Sequence, residues 1–144
     1  MESALETIPK KLWKHPAIQR YAERHEKTPR FSILDRSYHH QAMKSLPLNE
    51  KRGRPDIVHF ALLEALGSPL NKEKGLAVFI HTINDYVISV NSETRLPRNC
   101  NRFISLMEQL FGSEQIPPEA ERPLLTLRKQ NLAQLVQEIK PSFV

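Results

Sequence analysis

The sequence holds a single cysteine, Cys100, which excludes an internal disulfide and any metal cluster built on several thiolates. Glycine is nearly as scarce, with four in 144 residues, and none falls in either common form of glycine-rich phosphate loop. No apolar stretch approaches the roughly 20 residues that cross a bilayer. Met1 to Lys10 lacks the basic-then-apolar order of a secretory signal, so a reducing cytoplasm is the expected compartment. The histidines offer no pair at metal-ligand spacing with a third partner, and no metal is expected. His39 and His40 are adjacent and point apart, His59 lies in an apolar run and His81 ends a strand; all read as structural. The length fits one domain spanning residues 1–144, and 40% hydrophobic residues supply its core.

Proline and positive charge are present in quantity. Eleven prolines cut the chain into short elements. Pro16 suits the first position of a helix, with Ile18, Tyr21 and Ala22 on one face. Phe31 to Asp35 is a short strand-like run. Pro55 opens a second helix, and Ile57 to Leu66 is apolar nearly all round, the pattern of a buried helix. After Gly75 the period changes: Leu76 to Ile80 and Tyr86 to Val90 read as two strands, joined by turn residues at Asn84-Asp85 into a hairpin. Asn99 to Phe111 reads as a helix with Phe103, Met107, Leu110 and Phe111 on one stripe and Gly112 as its stop. Leu124 to Leu127 suits a short strand. Asn131 as cap with Gln134 three residues on marks a last helix, whose apolar face is Leu132, Leu135, Val136 and Ile139. Pro141 to Val144 resembles the first step of a further strand. A mixed α/β domain follows.

The charge is unevenly spread. Residues 1–102 carry 17 basic and 11 acidic residues, while residues 103–144 carry 4 and 5, so the net charge of +5 comes wholly from the first part. A basic surface confined to part of one domain suits a nucleic-acid partner, and it also suits a merely solvated basic face. Its densest segment runs from Thr94 to Arg102. Arg95, Arg98 and Arg102 stand before and inside the first turn of the helix that starts near Asn99. A helix N-terminus already carries partial positive charge and unpaired N–H groups. Three cations there point to an anion, with guanidinium forks and backbone amides converging on phosphate. The other possibility is that Glu93 or a distant carboxylate pairs with them. Lys51 to Asp56 repeats the pattern, with Arg52 and Arg54 ahead of a helix start. Asp56 is suited to the helix dipole, to holding Arg54 in one orientation, or to acting as a general base. A helix N-terminus beside Cys100 would lower its pKa, yet no base stands at a recognisable spacing and no nucleophile is assigned.

These segments together resemble a known family. Arg54 to His59 (RPDIVH), Ser68 to Asn71 (SPLN), Phe79 to Thr82 (FIHT), Asn91 to Arg98 (NSETRLPR), Asn101 to Phe103 (NRF) and Leu106 to Leu110 (LMEQL) are similar to the ribosomal small-subunit pseudouridine methyltransferases. Glu2 to Leu5 and Leu34 to His39 resemble the archaeal branch. The resemblance covers nearly the whole chain. It implies a SPOUT-type α/β-knot methyltransferase fold with a β-hairpin insertion, and a homodimer. It also implies transfer of a methyl group from S-adenosylmethionine to ring nitrogen 1 of a pseudouridine in small-subunit rRNA, during ribosome assembly. It places the family's RNA-contacting arginines on Arg54, Arg95, Arg98 and Arg102, with Asp56 steadying Arg54. No membrane or metal is implied.

Members of that family open with an apolar strand ahead of the segment that begins here at Glu2. They also continue past the position of Val144 into the knotted C-terminal part, which supplies most of the cofactor pocket and much of the dimer interface. The expected sheet is therefore incomplete, and apolar faces such as Ile57 to Leu66 are left partly exposed. A truncated reading frame, one half of a split protein and a fragment all remain open. Two readings follow. In the first, the chain is the rRNA-binding part of the methyltransferase, with its basic portion at about residues 51–102. In the other, it is a non-enzymatic rRNA-binding or assembly module, or an inactive fragment.

Overall fold

A computed structural model describes residues 1–143. Strand β1 (Glu2–Ser3) leads into helices α1 (Pro16–His25) and α2 (Arg36–Met43), then α3 (Pro55–Gly67) and the short α4 (Pro69–Lys72). Strands β2 (Val78–Thr82) and β3 (Tyr86–Val90) precede α5 (Cys100–Ser113), β4 (Gln115–Ile116), β5 (Leu125–Lys129) and α6 (Leu132–Ile139). The sheet order is β1-β2-β3-β5-β4. β1 is parallel to β2, and the remaining neighbours are antiparallel. The hairpin forms as read, with Val78 opposite Val90 and His81 opposite Val87.

Local chemistry sets the helix starts. Pro16 and Pro55 each occupy a first turn, where their missing N–H costs nothing. The Asp35 carboxylate accepts from Ser37 N–H at 2.9 Å and caps α2. Asn99 caps α5 through Arg102 N–H at 3.1 Å. Asn131 and Gln134 form the reciprocal capping box of α6. One core lies between the sheet and helices α3 and α5, centred on Leu62, Ile80, Ile88, Phe103 and Met107. A second binds α1 to α2 through Ile18, Leu34, Ala42 and Met43.

Several expectations are corrected. Phe31 to Asp35 is not a strand: Pro29–Phe31 is a 3-10 turn, Ile33 makes one isolated bridge to Thr7, and Asp35 is already the cap of α2. The first hairpin strand starts two residues late, at Val78, where pairing with β3 begins. Gly112 does not stop α5. The helix runs on to Ser113, whose hydroxyl is bonded to Gln109 O at 2.9 Å, and it stops at Glu114 in the left-handed region, φ 66°. α3 is buried on one side only: Val58, His59 and Leu62 are enclosed, while Ile57 and Phe60 are 54% and 68% exposed. α6 buries only Leu135, leaving Leu132 and Ile139 exposed. Pro141 to Phe143 form no strand, and Val144 lies outside the described residues.

His39 is fully enclosed in the second core, its Nδ1 accepting from Asp35 N–H at 2.9 Å. Burial, with the nearby charges of His25 and Lys27, pushes its pKa down to about 4. The unfolded chain therefore takes up a proton near pH 6.5 that the folded chain refuses until about pH 4. The stability is fully present above pH 6.5 and falls as pH drops towards 4, by on the order of 3 kcal/mol. Urea unfolding at pH 7 and pH 4.5 should show this loss, and His39→Gln should remove most of it. An unchanged pH dependence in that variant would contradict the assignment.

Candidate RNA-binding face

The loop from Thr94 to Asn99 joins β3 to α5 and is fixed from the inside. Thr94 is buried, and its hydroxyl donates to Leu124 O at 3.1 Å. Leu96 packs on the main core. The Pro97 carbonyl accepts from the His59 Nε2–H at 2.6 Å, and the His59 ring stacks on Phe103 with centroids 4.6 Å apart. A carbonyl can only accept, so this bond also sets the histidine tautomer. With its alternate positions turned inward, the loop presents Arg95 and Arg98 outward, and Arg102 follows on the first turn of α5.

The side chains of these three arginines make no ion pair or hydrogen bond with any described residue. Glu93 is exposed and pairs with none of them; only its backbone N–H is engaged, by Asn91 at 2.8 Å. The ion-pair alternative is therefore not realised. The first turn of α5 has no acidic residue, so the arginines add to an end that is already electropositive. A groove of about 400 Å³ runs beside them, lined by Pro97, Asn101, Arg102, Ser105, Leu106 and Gln109. A cleft of about 600 Å³ reaches Arg95, with Lys72, Lys74 and Glu93 also on its walls.

The second constellation divides in two. Arg54 and Asp56 form a bidentate pair at 2.9 and 2.8 Å, both side chains exposed. The guanidinium holds the Asp56 carboxyl below its ordinary range, and Asp56 in turn raises Arg54. Arg52, by contrast, turns inward. It grips the buried Glu6 carboxylate with Nε and Nη2 at 2.7 and 2.9 Å, so it is a structural cation and not part of an anion site. Between them Gly53 has φ 68°, and a Cβ there would meet Met43 Cε at 2.9 Å.

Cys100 opens α5, the helix whose first turn carries Arg102. Its thiol is pushed up, first by burial and then by the charges of Asp35 and Asp56. The lowered pKa expected from the helix N-terminus is therefore corrected: the half-buried sulfur faces two carboxylates. The same two aspartates act on Arg54. Among the described residues no group of three or more His, Cys, Asp or Glu could hold a metal ion. Among the described residues no helix is long and apolar enough to cross a membrane. His59 is structural, as expected, and what it fastens is the arginine loop, 38 residues away, which nothing near residue 59 announces.

Comparison with known proteins gives a consistent result. A family model described as EMG1/NEP1 methyltransferase matches residues 1–144. The ribosomal RNA small subunit methyltransferase Nep1 of Staphylothermus marinus is 52% identical over 144 residues, covering 100% of this chain and 63% of the relative. The Pyrococcus furiosus protein of the same name is 52% identical over 143 residues, again covering 63% of its length. The crystal structure of Archaeoglobus fulgidus Nep1 bound to S-adenosylhomocysteine superposes with a TM-score of 0.86 at 48% identity, over 94% of this chain and 61% of that one. The chain thus spans less than two thirds of these relatives.

The two kinds of arginine should separate under mutation. Arg52→Ala leaves the Glu6 carboxylate buried without a counter-ion, held only by the Asn84 amide at 3.2 Å, and should lower unfolding free energy by about 3 kcal/mol. Arg98→Ala should change it by less than about 0.5 kcal/mol. Urea titration of both variants checks this, and equal losses would mean that Arg98 has a structural partner.

Proposed function

The chain belongs to the EMG1/NEP1 methyltransferase family, with its SPOUT-type α/β fold over the part it spans, and we propose that it carries the rRNA-binding part of a methyltransferase. The reaction is transfer of a methyl group from S-adenosylmethionine to ring nitrogen 1 of a pseudouridine in small-subunit rRNA, in the cytoplasm. The observation that carries this reading is the set of exposed, unpaired arginines 95, 98 and 102 around the acid-free start of α5. Arg95, Arg98 and Arg102 contact phosphates. Arg54, pre-oriented by its fork to Asp56, contacts a phosphate or a base edge of the same strand. The RNA-binding portion is about residues 51–102, within a single domain. The relatives' names and the S-adenosylhomocysteine bound to the Archaeoglobus protein support the reaction and the methyl donor.

S-adenosylmethionine supplies an electrophilic methyl on a sulfonium cation. The grooves described here do not fit it. The one on α5 is rimmed by Arg102 and carries no carboxylate, and the cleft at Arg95 sets Lys72, Lys74 and Arg95 against the single carboxylate of Glu93, so each is net positive. Both would repel a sulfonium. No residue of this chain is therefore assigned to the donor, and the contribution derived for it is to bind and orient RNA. The complete protein is a homodimer in this reading, for which the exposed Ile57 and Phe60 offer apolar contact surface.

Binding to a pseudouridine-bearing hairpin of small-subunit rRNA tests the reading. Three or four phosphate contacts predict that log affinity falls against log salt with a slope of about −2 to −3. Arg98→Ala should weaken binding and make that slope shallower by about 1, whereas Lys10→Ala should do neither. Equal effects from the two substitutions would remove the site assignment. Absence of any salt-sensitive binding would remove the function.

A further inference from the structure

The helical pair α1–α2 carries a second feature that the arginine face does not use. Tyr21, His25 and Tyr38 form a ring cluster, with Tyr21 centred 4.2 Å from His25 and 5.2 Å from Tyr38. His25 meets Tyr38 edge-on at 5.6 Å. Below them the buried His39 contacts Tyr21 edge-on at 4.3 Å and fixes its ring. A purely structural cluster would be covered, yet Tyr38 is 44% exposed and His25 is open to solvent. The rings border a pocket of about 310 Å³, whose remaining walls are Ala17, Arg20 and Arg24.

The cations beside the rings are uncommitted. Arg24 makes no ion pair or hydrogen bond with a described residue. Arg20 uses only its Nε, on Pro16 O at 3.4 Å, leaving both terminal nitrogens free. Burial, reinforced by Glu108, Tyr38 and Asp35, pushes the Tyr21 phenol up to about 12, so the ring stays neutral at any working pH. Flat ring faces beside unpaired guanidinium groups are what single-stranded nucleic acid requires: bases stack, and their phosphates meet cations.

The pocket also adjoins the arginine face. Arg36 N–H at the start of α2 donates to Gly53 O at 2.9 Å, next to Arg54. Tyr38 follows Arg36 by two residues on α2.

We propose that Tyr38 and His25, with Arg20 and Arg24, form a second subsite that holds an unpaired nucleobase of the bound RNA and its flanking phosphates. This rests on the reading of the α5 face as an RNA-binding surface. The subsite lengthens the footprint beyond the target loop, towards a single-stranded flank.

Two labelled probes are titrated: the hairpin alone, and the same hairpin with a six-uridine single-stranded extension. The extension should tighten binding to the unaltered chain by roughly tenfold or more, the contribution of one stacked base. Tyr38→Ala should erase that gain without altering affinity for the bare hairpin, while Tyr38→Phe, which keeps the ring, should retain it. Arg20→Ala with Arg24→Ala should make the salt slope for the extended probe shallower by 1 to 2. Full gain in Tyr38→Ala, with hairpin binding intact, overturns the subsite and leaves the proposed function standing. Loss of bare-hairpin binding by the unaltered chain overturns both.

Discussion

The hydrogen bond from His59 to the Pro97 carbonyl, 2.6 Å long, joins the two halves of the candidate site. It runs from the buried side of α3 to the loop that carries Arg95 and Arg98, and the same ring is stacked on Phe103 of α5. One imidazole on α3, the helix that follows Arg54, thus touches the arginine loop and the helix whose first turn carries Arg102. Without it the segment from Pro97 to Arg98 would have no anchor between Leu96, packed on the core, and the Asn99 cap. Guanidinium forks recognise phosphate only when their separation is held, so a fixed loop converts three cations into a site.

The second constraint is how the chain disposes of its positive charge. Arg52 and Lys27 are satisfied by Glu6 and Glu108, with Arg52 and its partner largely out of water. Arg54 is paired but exposed, which costs little desolvation and gains orientation. Arg95, Arg98 and Arg102 have no partner at all among the described residues. Clustering like charges at a helix N-terminus is unfavourable in the isolated protein, by about 0.3–1 kcal/mol each. Binding a polyanion relieves that repulsion and releases counterions, so the strain of the free state becomes part of the affinity.

Much of this was legible in the sequence where the determinants are local. Tyr86 to Val90 pairs over the residues the alternation indicates, and the Asn99 and Asn131 caps stand where their side chains reach an N–H three residues on. The Arg54–Asp56 fork spans two residues and was foreseen for that reason. What failed was set by distant partners. Arg52 and Arg54 both precede the start of α3, and Glu6, 46 residues before Arg52, draws that side chain inward, while Arg54 stays exposed on its fork to Asp56. His59 lies 38 residues from Pro97, and nothing in either segment announces the other. Cys100 sits at a helix start that favours thiolate, yet burial and two aspartates from other elements reverse the direction. α3 looked apolar all round because its exposed face, Ile57 and Phe60, is as apolar as its buried one.

The account turns on which guanidinium groups are engaged before and after RNA arrives, and a ¹H–¹⁵N spectrum of the arginine Nε–H groups reads this residue by residue. In the free chain Arg52 and Arg54 should show slowly exchanging signals, while Arg98 and Arg102 should be averaged and exchange-broadened. Saturation with the rRNA hairpin should bring up new, shifted signals for Arg98 and Arg102 and leave Arg52 where it was. Signals of Arg98 and Arg102 that stay unchanged at full RNA occupancy would contradict the assignment of the α5 face.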